Sequence, residues 1–196
     1  MFFGEPFGGL IPGARGAVLA VLLRTDVPLT GRQIHAVLRD QHSLWSVQET
    51  LKALAQLGLI ESRTVGRAGV HIINEDHAAI SALRALLDPV AALKEVIEQG
   101  IDAGVQAVLL FGSISRGEAT ADSDIDLAVI AGPDWSGQVR LEDTIRSRLG
   151  NNCDVLAFTS AEFTKLAEDG EPVVIDILRY GIALLGDKPR VAIGAA

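Results

Sequence analysis

Two carboxylates two positions apart, Asp124 and Asp126, follow a Gly112-Ser113 pair after ten intervening residues. The Gly-Ser pair closes an apolar run over 105–111, and the carboxylates lie in a second strand-like run. Strand side chains alternate between faces, so Asp124 and Asp126 point the same way while Ile125 and Leu127 turn into the core. Each carboxylate raises the pKa of the other unless a cation or donor offsets the charge, and a hard divalent ion with oxygen ligands is the usual solution. A Gly-Ser turn between a strand and a short helix brings backbone N–H groups close to anionic oxygens, so phosphates fit the same picture.

The stretch 111–127 reads Phe-Gly-Ser-Ile-Ser-Arg-Gly-Glu-Ala-Thr-Ala-Asp-Ser-Asp-Ile-Asp-Leu. It resembles the signature of the DNA polymerase beta-type nucleotidyltransferase superfamily, particularly its minimal bacterial and archaeal members. Those enzymes join a Gly-Ser turn to an Asp-x-Asp pair on the next strand and draw a third carboxylate from a later strand. Here the later strand is 153–158, where Asp154 is the sole acidic residue and alternation sends Cys153 and Val155 to the opposite face. The resemblance implies Mg²⁺-dependent transfer of a nucleoside monophosphate from an NTP to a hydroxyl. Asp124, Asp126 and Asp154 would hold two Mg²⁺ ions, with Mn²⁺ as an alternative, and Asp154 would accept the hydroxyl proton. Gly112 and Ser113 would hold the β- and γ-phosphates, with in-line displacement releasing pyrophosphate. Arg116 is a candidate for a further phosphate contact, a solvent-facing arginine being the alternative. A retained fold without activity, acting as a sensor or scaffold, is the inactive version of this reading. The segment 175–186 also resembles the close of minimal nucleotidyltransferase domains, which extends the resemblance over about 89–188.

Composition bounds the rest. A chain of 196 residues, 48% hydrophobic and 21% charged, is ordinary for a folded protein of one large or two small domains. The single cysteine, Cys153, excludes an internal disulfide and fits a reducing compartment. Apolar stretches such as 17–23 are far shorter than the roughly 20 residues that span a bilayer, and the N-terminus lacks a basic region before an apolar one. The expected location is cytoplasmic, with no membrane partner. Residues 1–75 carry net charge +1 and residues 76–196 carry −9, an asymmetry that supports two domains. The acidic half would repel a long nucleic-acid backbone, which disfavours a templated polymerase and leaves nucleotides escorted by Mg²⁺.

Several elements must position these residues. After an irregular arm of eleven residues, Ala17, Val18, Val21 and Leu22 give a first helix an apolar stripe. Thr30 with Gln33 forms a capping-box pattern for a second helix, and Ser46 with Glu49 repeats it for a third, whose Val47, Leu51, Leu54 and Ala55 share one face and whose end Gly58 caps. Two strands, 59–65 and 69–73, follow. This order resembles the winged helix-turn-helix domain of bacterial regulators, assigned to 12–75. In that family the third helix enters the DNA major groove and the wing contacts the backbone. Gln48, Lys52, Gln56, Arg63 and Arg67 are the residues it would offer to double-stranded DNA; Glu49 would oppose phosphates.

A helical linker, 76–88, leads to the nucleotidyltransferase domain, 89–188. There the pattern predicts helix 90–102, strand 105–111, short helix 114–119, strand 124–131, helix 137–149, strand 153–158, helix 160–168 and a last segment 173–185. The fold class expected is therefore α/β (α+β), a winged helix-turn-helix followed by a small mixed sheet with flanking helices. The scattered histidines show no ligand spacing, and Trp45 and Trp135 read as hydrophobic anchors. An alternative to the enzyme is a DNA-binding transcriptional regulator or the antitoxin of a toxin–antitoxin pair, its second domain modifying, docking to or sensing a separate toxin or other protein acceptor. The sequence leaves a homodimer, the preferred NTP, the acceptor and the DNA target open.

Overall fold

This computed structural model describes residues 1–120 and 122–191; Ala121, inside the motif stretch, lies outside them. The chain divides into two compact units, one of Glu5–Pro89 and one that joins Met1–Gly4 to the chain from Val90 onward.

In the Glu5–Pro89 unit, α1 (Gly13–Leu23), β1 (Leu29–Thr30), α2 (Gly31–Leu38) and α3 (Leu44–Gln56) precede a hairpin of β2 (Ile60–Val65) and β3 (Ala68–Ile73), with α4 (Ile80–Leu87) last. All strand pairs are antiparallel, in the order β1-β3-β2. Helix α1 buries Val18, Leu19, Leu22 and Leu23 together with Gly16 and Ala20. It is apolar nearly all round and so forms the middle of the core; Ala17 and Val21, expected on its stripe, lie at the core's margin. The arm before it is not wholly irregular, since Phe7 in a 3-10 turn over Pro6–Gly9 is fully buried. Of the segment 76–88, Ile80 is buried in this same core, and Leu83 and Leu87 pack against it.

Both halves of the box at Thr30 are made: Gln33 N–H donates to Thr30 Oγ1 at 3.2 Å and Thr30 N–H to Gln33 Oε1 at 2.8 Å. The box expected at Ser46 is not. Helix α3 already starts at Leu44, so Ser43 is its cap, and the Ser46 N–H is the group that Ser43 Oγ accepts, at 3.2 Å. Glu49 pairs instead with Lys52, at 2.6 Å. The same early start leaves Trp45 in the first turn 73% exposed, a correction to its expected role as an anchor. Trp135 does pack against a core, in the second unit.

That unit runs α5 (Pro89–Gly100), β4 (Val105–Phe111), α6 (Gly112–Ser115), β5 (Ile125–Ala131), α7 (Gln138–Leu149), β6 (Cys153–Phe158), α8 (Ser160–Glu168), α9 (Pro172–Tyr180) and β7 (Ile182–Leu185). Its mixed sheet has the order β6-β5-β4-β7, with β4 antiparallel to both neighbours and β5 parallel to β6. Parallel neighbours need a crossover, and α7 supplies it. On one face Val108, Leu110, Leu127 and Val129 meet α5 and α7 through Leu93, Ile97, Leu141 and Ile145. On the other, Leu109, Phe111, Ala128 and Ile130 meet Phe163 of α8 and Val174 and Ile177 of α9. Cover on both faces explains why β4 and β5 read as unbroken apolar runs. At the outer edge of β6, Val155 N–H donates to Glu142 Oε1 of α7 at 3.2 Å, which blunts an exposed strand edge.

The last predicted segment is two elements. A Cβ at Gly181 would lie 2.4 Å from Ile177 O, so glycine is what lets the chain leave α9 and turn into β7. Among the described residues no helix is long and apolar enough to cross a membrane.

Candidate active site

The parallel register of β5 and β6 sets Asp126 opposite Asp154. In-register residues on neighbouring strands share a face. Their flanks, Ile125, Leu127, Cys153 and Val155, are all buried on the other side. Asp124 comes just before β5 and is exposed, so it stands at the mouth of the strand and not within it.

Phe111 at the end of β4 pairs with Asp126, and this delivers the Gly-Ser turn to the carboxylate. Gly112 has φ +71°, and a Cβ there would fall 2.0 Å from Asp126 Oδ2 and 2.9 Å from its Cγ. Only a hydrogen fits between turn and acid. Ser115 Oγ donates to Gly112 O at 3.0 Å, and Glu118 N–H donates to Ser113 O at 2.9 Å, which closes the turn. The predicted short helix at 114–119 is accordingly a single turn starting earlier, at Gly112.

Burial raises the pKa of the Asp126 carboxyl above its ordinary value, and the charges of Asp154 and Asp124 push it the same way; Arg116 opposes them and Asp176 adds to them. The site therefore carries more negative charge than its own cations offset. That imbalance and the all-oxygen donor set fit a hard divalent cation. Among the described residues no group of three or more His, Cys, Asp or Glu is gathered so as to hold a metal unaided. Opposite the acids, Cys153 is buried and its thiol is pushed up to about 12, first by burial and then by Glu142.

Arg116 does not face solvent freely. Its Nη1 donates to both carboxylate oxygens of Asp176 on α9, at 3.2 and 3.1 Å, and its Nε to Glu118 at 2.9 Å. Asp176, whose side chain is only 29% exposed, is a residue that sequence reading passed over. It lies in the quoted segment 175–186, but no spacing connects it to Arg116, sixty positions away.

The residues predicted to meet DNA sit in the Glu5–Pro89 unit. Gln48, Lys52 and Gln56 are exposed on α3, Arg63 is on β2, and Arg67 is in the turn of the hairpin. Lys52 and Arg63 are already paired, with Glu49 at 2.6 Å and with Glu61 at 2.5 Å.

Residues 92–171 match the family described as Polymerase beta, Nucleotidyltransferase, a span that holds the Gly-Ser turn and all three aspartates. No curated protein matches the chain. Similar solved structures include a toxin–antitoxin complex with AMP-PNP, 23% identical with a TM-score of 0.38, covering 51% of this chain and 75% of that one. An MntA–HpeT toxin–antitoxin variant is 27% identical with a TM-score of 0.37, covering 50% and 72%. A tri-AMPylated HEPN toxin of Shewanella oneidensis in complex with an MNT antitoxin gives 23% identity and a TM-score of 0.36, covering 50% and 73%. Nucleotidyltransferases of the matched kind use an NTP and divalent metal ions. Residues 92–171 are a nucleotidyltransferase domain of the polymerase beta type, and the class of enzyme is nucleotidyltransferase.

Proposed function

We propose that residues 89–188 transfer a nucleoside monophosphate from an NTP to a hydroxyl on a small molecule, a protein or an RNA end, with Mg²⁺. The observation that carries this reading is the packing of Gly112 directly on Asp126, itself in register with Asp154. An anion-binding turn and an under-compensated pair of acids then share one place. Asp124, Asp126 and Asp154 would hold the divalent ions, Mg²⁺ or Mn²⁺, which when bound neutralise the triphosphate and make the acceptor hydroxyl more acidic. The Ser113 hydroxyl and the N–H groups of Gly112 and Ser113 hold the β- and γ-phosphates. Arg116 adds positive charge beside the turn, fixed in position by Asp176 and Glu118. Asp154 takes the acceptor proton as the new bond to the α-phosphorus forms and the bond to the bridging oxygen breaks, releasing pyrophosphate. Incubation with labelled NTPs, Mg²⁺ and cell extract should label an acceptor, and Asp124→Asn should abolish that labelling. Label transfer that survives Asp124→Asn overturns the assignment.

A second reading gives the chain a regulatory role in the cytoplasm. Residues 12–75 would be a winged helix-turn-helix joined by the helical segment 76–88, with Gln48, Lys52, Gln56, Arg63 and Arg67 facing double-stranded DNA. Three helices followed by an antiparallel hairpin, with β1 as a third strand, support it. In this reading the chain is the antitoxin of a pair and its transferase domain modifies or docks to a separate toxin; a homodimer would suit a two-fold operator. Salt-dependent binding to the chain's own upstream DNA, weakened by Arg67→Gln and Lys52→Gln, is the expected result. Absence of binding at low salt refutes it.

A further inference from the structure

Between the start of α2, the outer side of α3 and the β2–β3 hairpin lies a cavity of about 960 Å³. Ala55 and Ala68 give it a small apolar surface, with the core residue Leu51 behind them. Gly31 helps keep it open, because a Cβ there would sit 3.3 Å from Leu51 Cδ1 and 4.0 Å from Gln48 Cγ, both lining residues. The charged residues of the lining are Arg32, Lys52 and Arg67, with no carboxylate among them. Lys52 is held by Glu49 from outside. Among the described residues, neither Arg32 nor Arg67 has a carboxylate partner within 4.0 Å. Ser62 Oγ and His71 Nδ1, 2.8 Å apart, add a polar pair to the wall.

In a chain of net charge −8, a concave patch of unpaired arginines around an apolar wall selects anions. Its volume matches small-molecule clefts, which run to roughly 300–1,000 Å³ with mostly apolar walls and a few convergent polar groups. A bare phosphate would leave most of it empty. We propose that this cavity is a binding site for a small organic anion of about nucleotide size, its phosphate or carboxylate on Arg32 and Arg67 and its apolar body against Ala55 and Ala68. This site is separate from the aspartate site and does not depend on the transferase reading. Because the same wall carries Gln48, Lys52, Gln56 and Arg67, an occupied cavity would be closed to DNA.

The test uses the full chain with Asp126→Asn and no divalent ion, so that the aspartate site does not compete for nucleotides. The His71 ring signal, assigned with His71→Gln, is followed by NMR while nucleoside monophosphates, aromatic carboxylates and inorganic phosphate are added separately. An organic anion should shift His71 with a Kd of about 1 mM or tighter, and inorganic phosphate should bind more weakly. Arg32→Gln and Arg67→Gln should each weaken binding roughly tenfold or more, with the His42 and His77 signals reporting a retained fold, while Arg39→Gln leaves binding unchanged. If no organic anion moves His71, or if both arginine variants bind as tightly as the parent, the proposal is overturned. A shift caused by duplex DNA alone also overturns it, in favour of a nucleic-acid face.

Discussion

Gly112→Ala separates what the turn does for stability from what it does for chemistry. The left-handed conformation at φ +71° costs a residue with a Cβ about 1–2 kcal/mol. The new methyl would also lie 2.0 Å from Asp126 Oδ2, 2.9 Å from Cγ and 3.2 Å from Cβ. Backbone is not what it strikes, so the fold survives by swinging the Asp126 side chain aside, at roughly 0.5–1.5 kcal/mol of off-rotamer strain. Urea unfolding should show a loss of about 1.5–3.5 kcal/mol, modest for a folded unit. Activity should suffer far more, since misplacing a reacting group by about 1 Å costs on the order of 10²-fold. Label transfer measured on folded protein should thus fall by about 100-fold or more, while Ser115→Ala, which removes only the turn's hydroxyl bond to Gly112 O, should lose little. A Gly112→Ala protein that keeps transfer within about threefold would show that the turn does not set the Asp126 carboxylate for the reaction.

Other outcomes follow from the same geometry. The folded pKa of Asp126 lies above its ordinary 3.8, so between those values the native state binds more protons than the unfolded chain, and stability falls as pH rises through that window. Urea titrations at several pH values should show Asp126→Asn flattening that slope, and added Mg²⁺ should raise the Tm of the parent but not of the variant. Asp176→Asn, which leaves Arg116 with Glu118 alone, should lower kcat/KM for the NTP by about tenfold, chiefly through KM; unchanged kinetics would make the ion pair purely structural. Cys153, buried with its thiol pushed up to about 12, should resist a thiol reagent at pH 8 until urea is added.

Much of the fold was legible because its signals are local. The capping box at Thr30 needs only neighbouring residues, and the apolar runs of β4 and β5 follow from a sheet covered on both faces. The Gly-Ser turn and Asp126 meet because β4 and β5 are adjacent antiparallel strands, a pairing that the connection between Phe111 and Ile125 is long enough to leave open. Where local signals competed, reading them went astray: Ser43 and Ser46 can both cap a helix, and the helix starts at Leu44 with Ser43 as its cap. The split at Gly181 was hidden because α9 and β7 are both apolar on one side, so their periods blur. Asp176 was invisible for a different reason. Its partner is chosen by the way α9 crosses the sheet face next to α6, and no residue pattern within α9 records that crossing.

The pairing of Asp126 with Asp154 also makes the site a parity check on the sheet. Strand faces repeat every two residues, so a slip of β6 by one position would bury Asp154 and turn Cys153 or Val155 outward. A slip of two keeps Asp154 on the acid face but carries it about 6–7 Å along the strand from Asp126, out of reach of a shared ion. The Glu142 carboxylate on Val155 N–H reads the same strand from its other edge, so it discriminates against the slipped pairing before any substrate arrives. A misregistered molecule would then be silent and not just slow, and the active fraction of a preparation would count correctly assembled sheets.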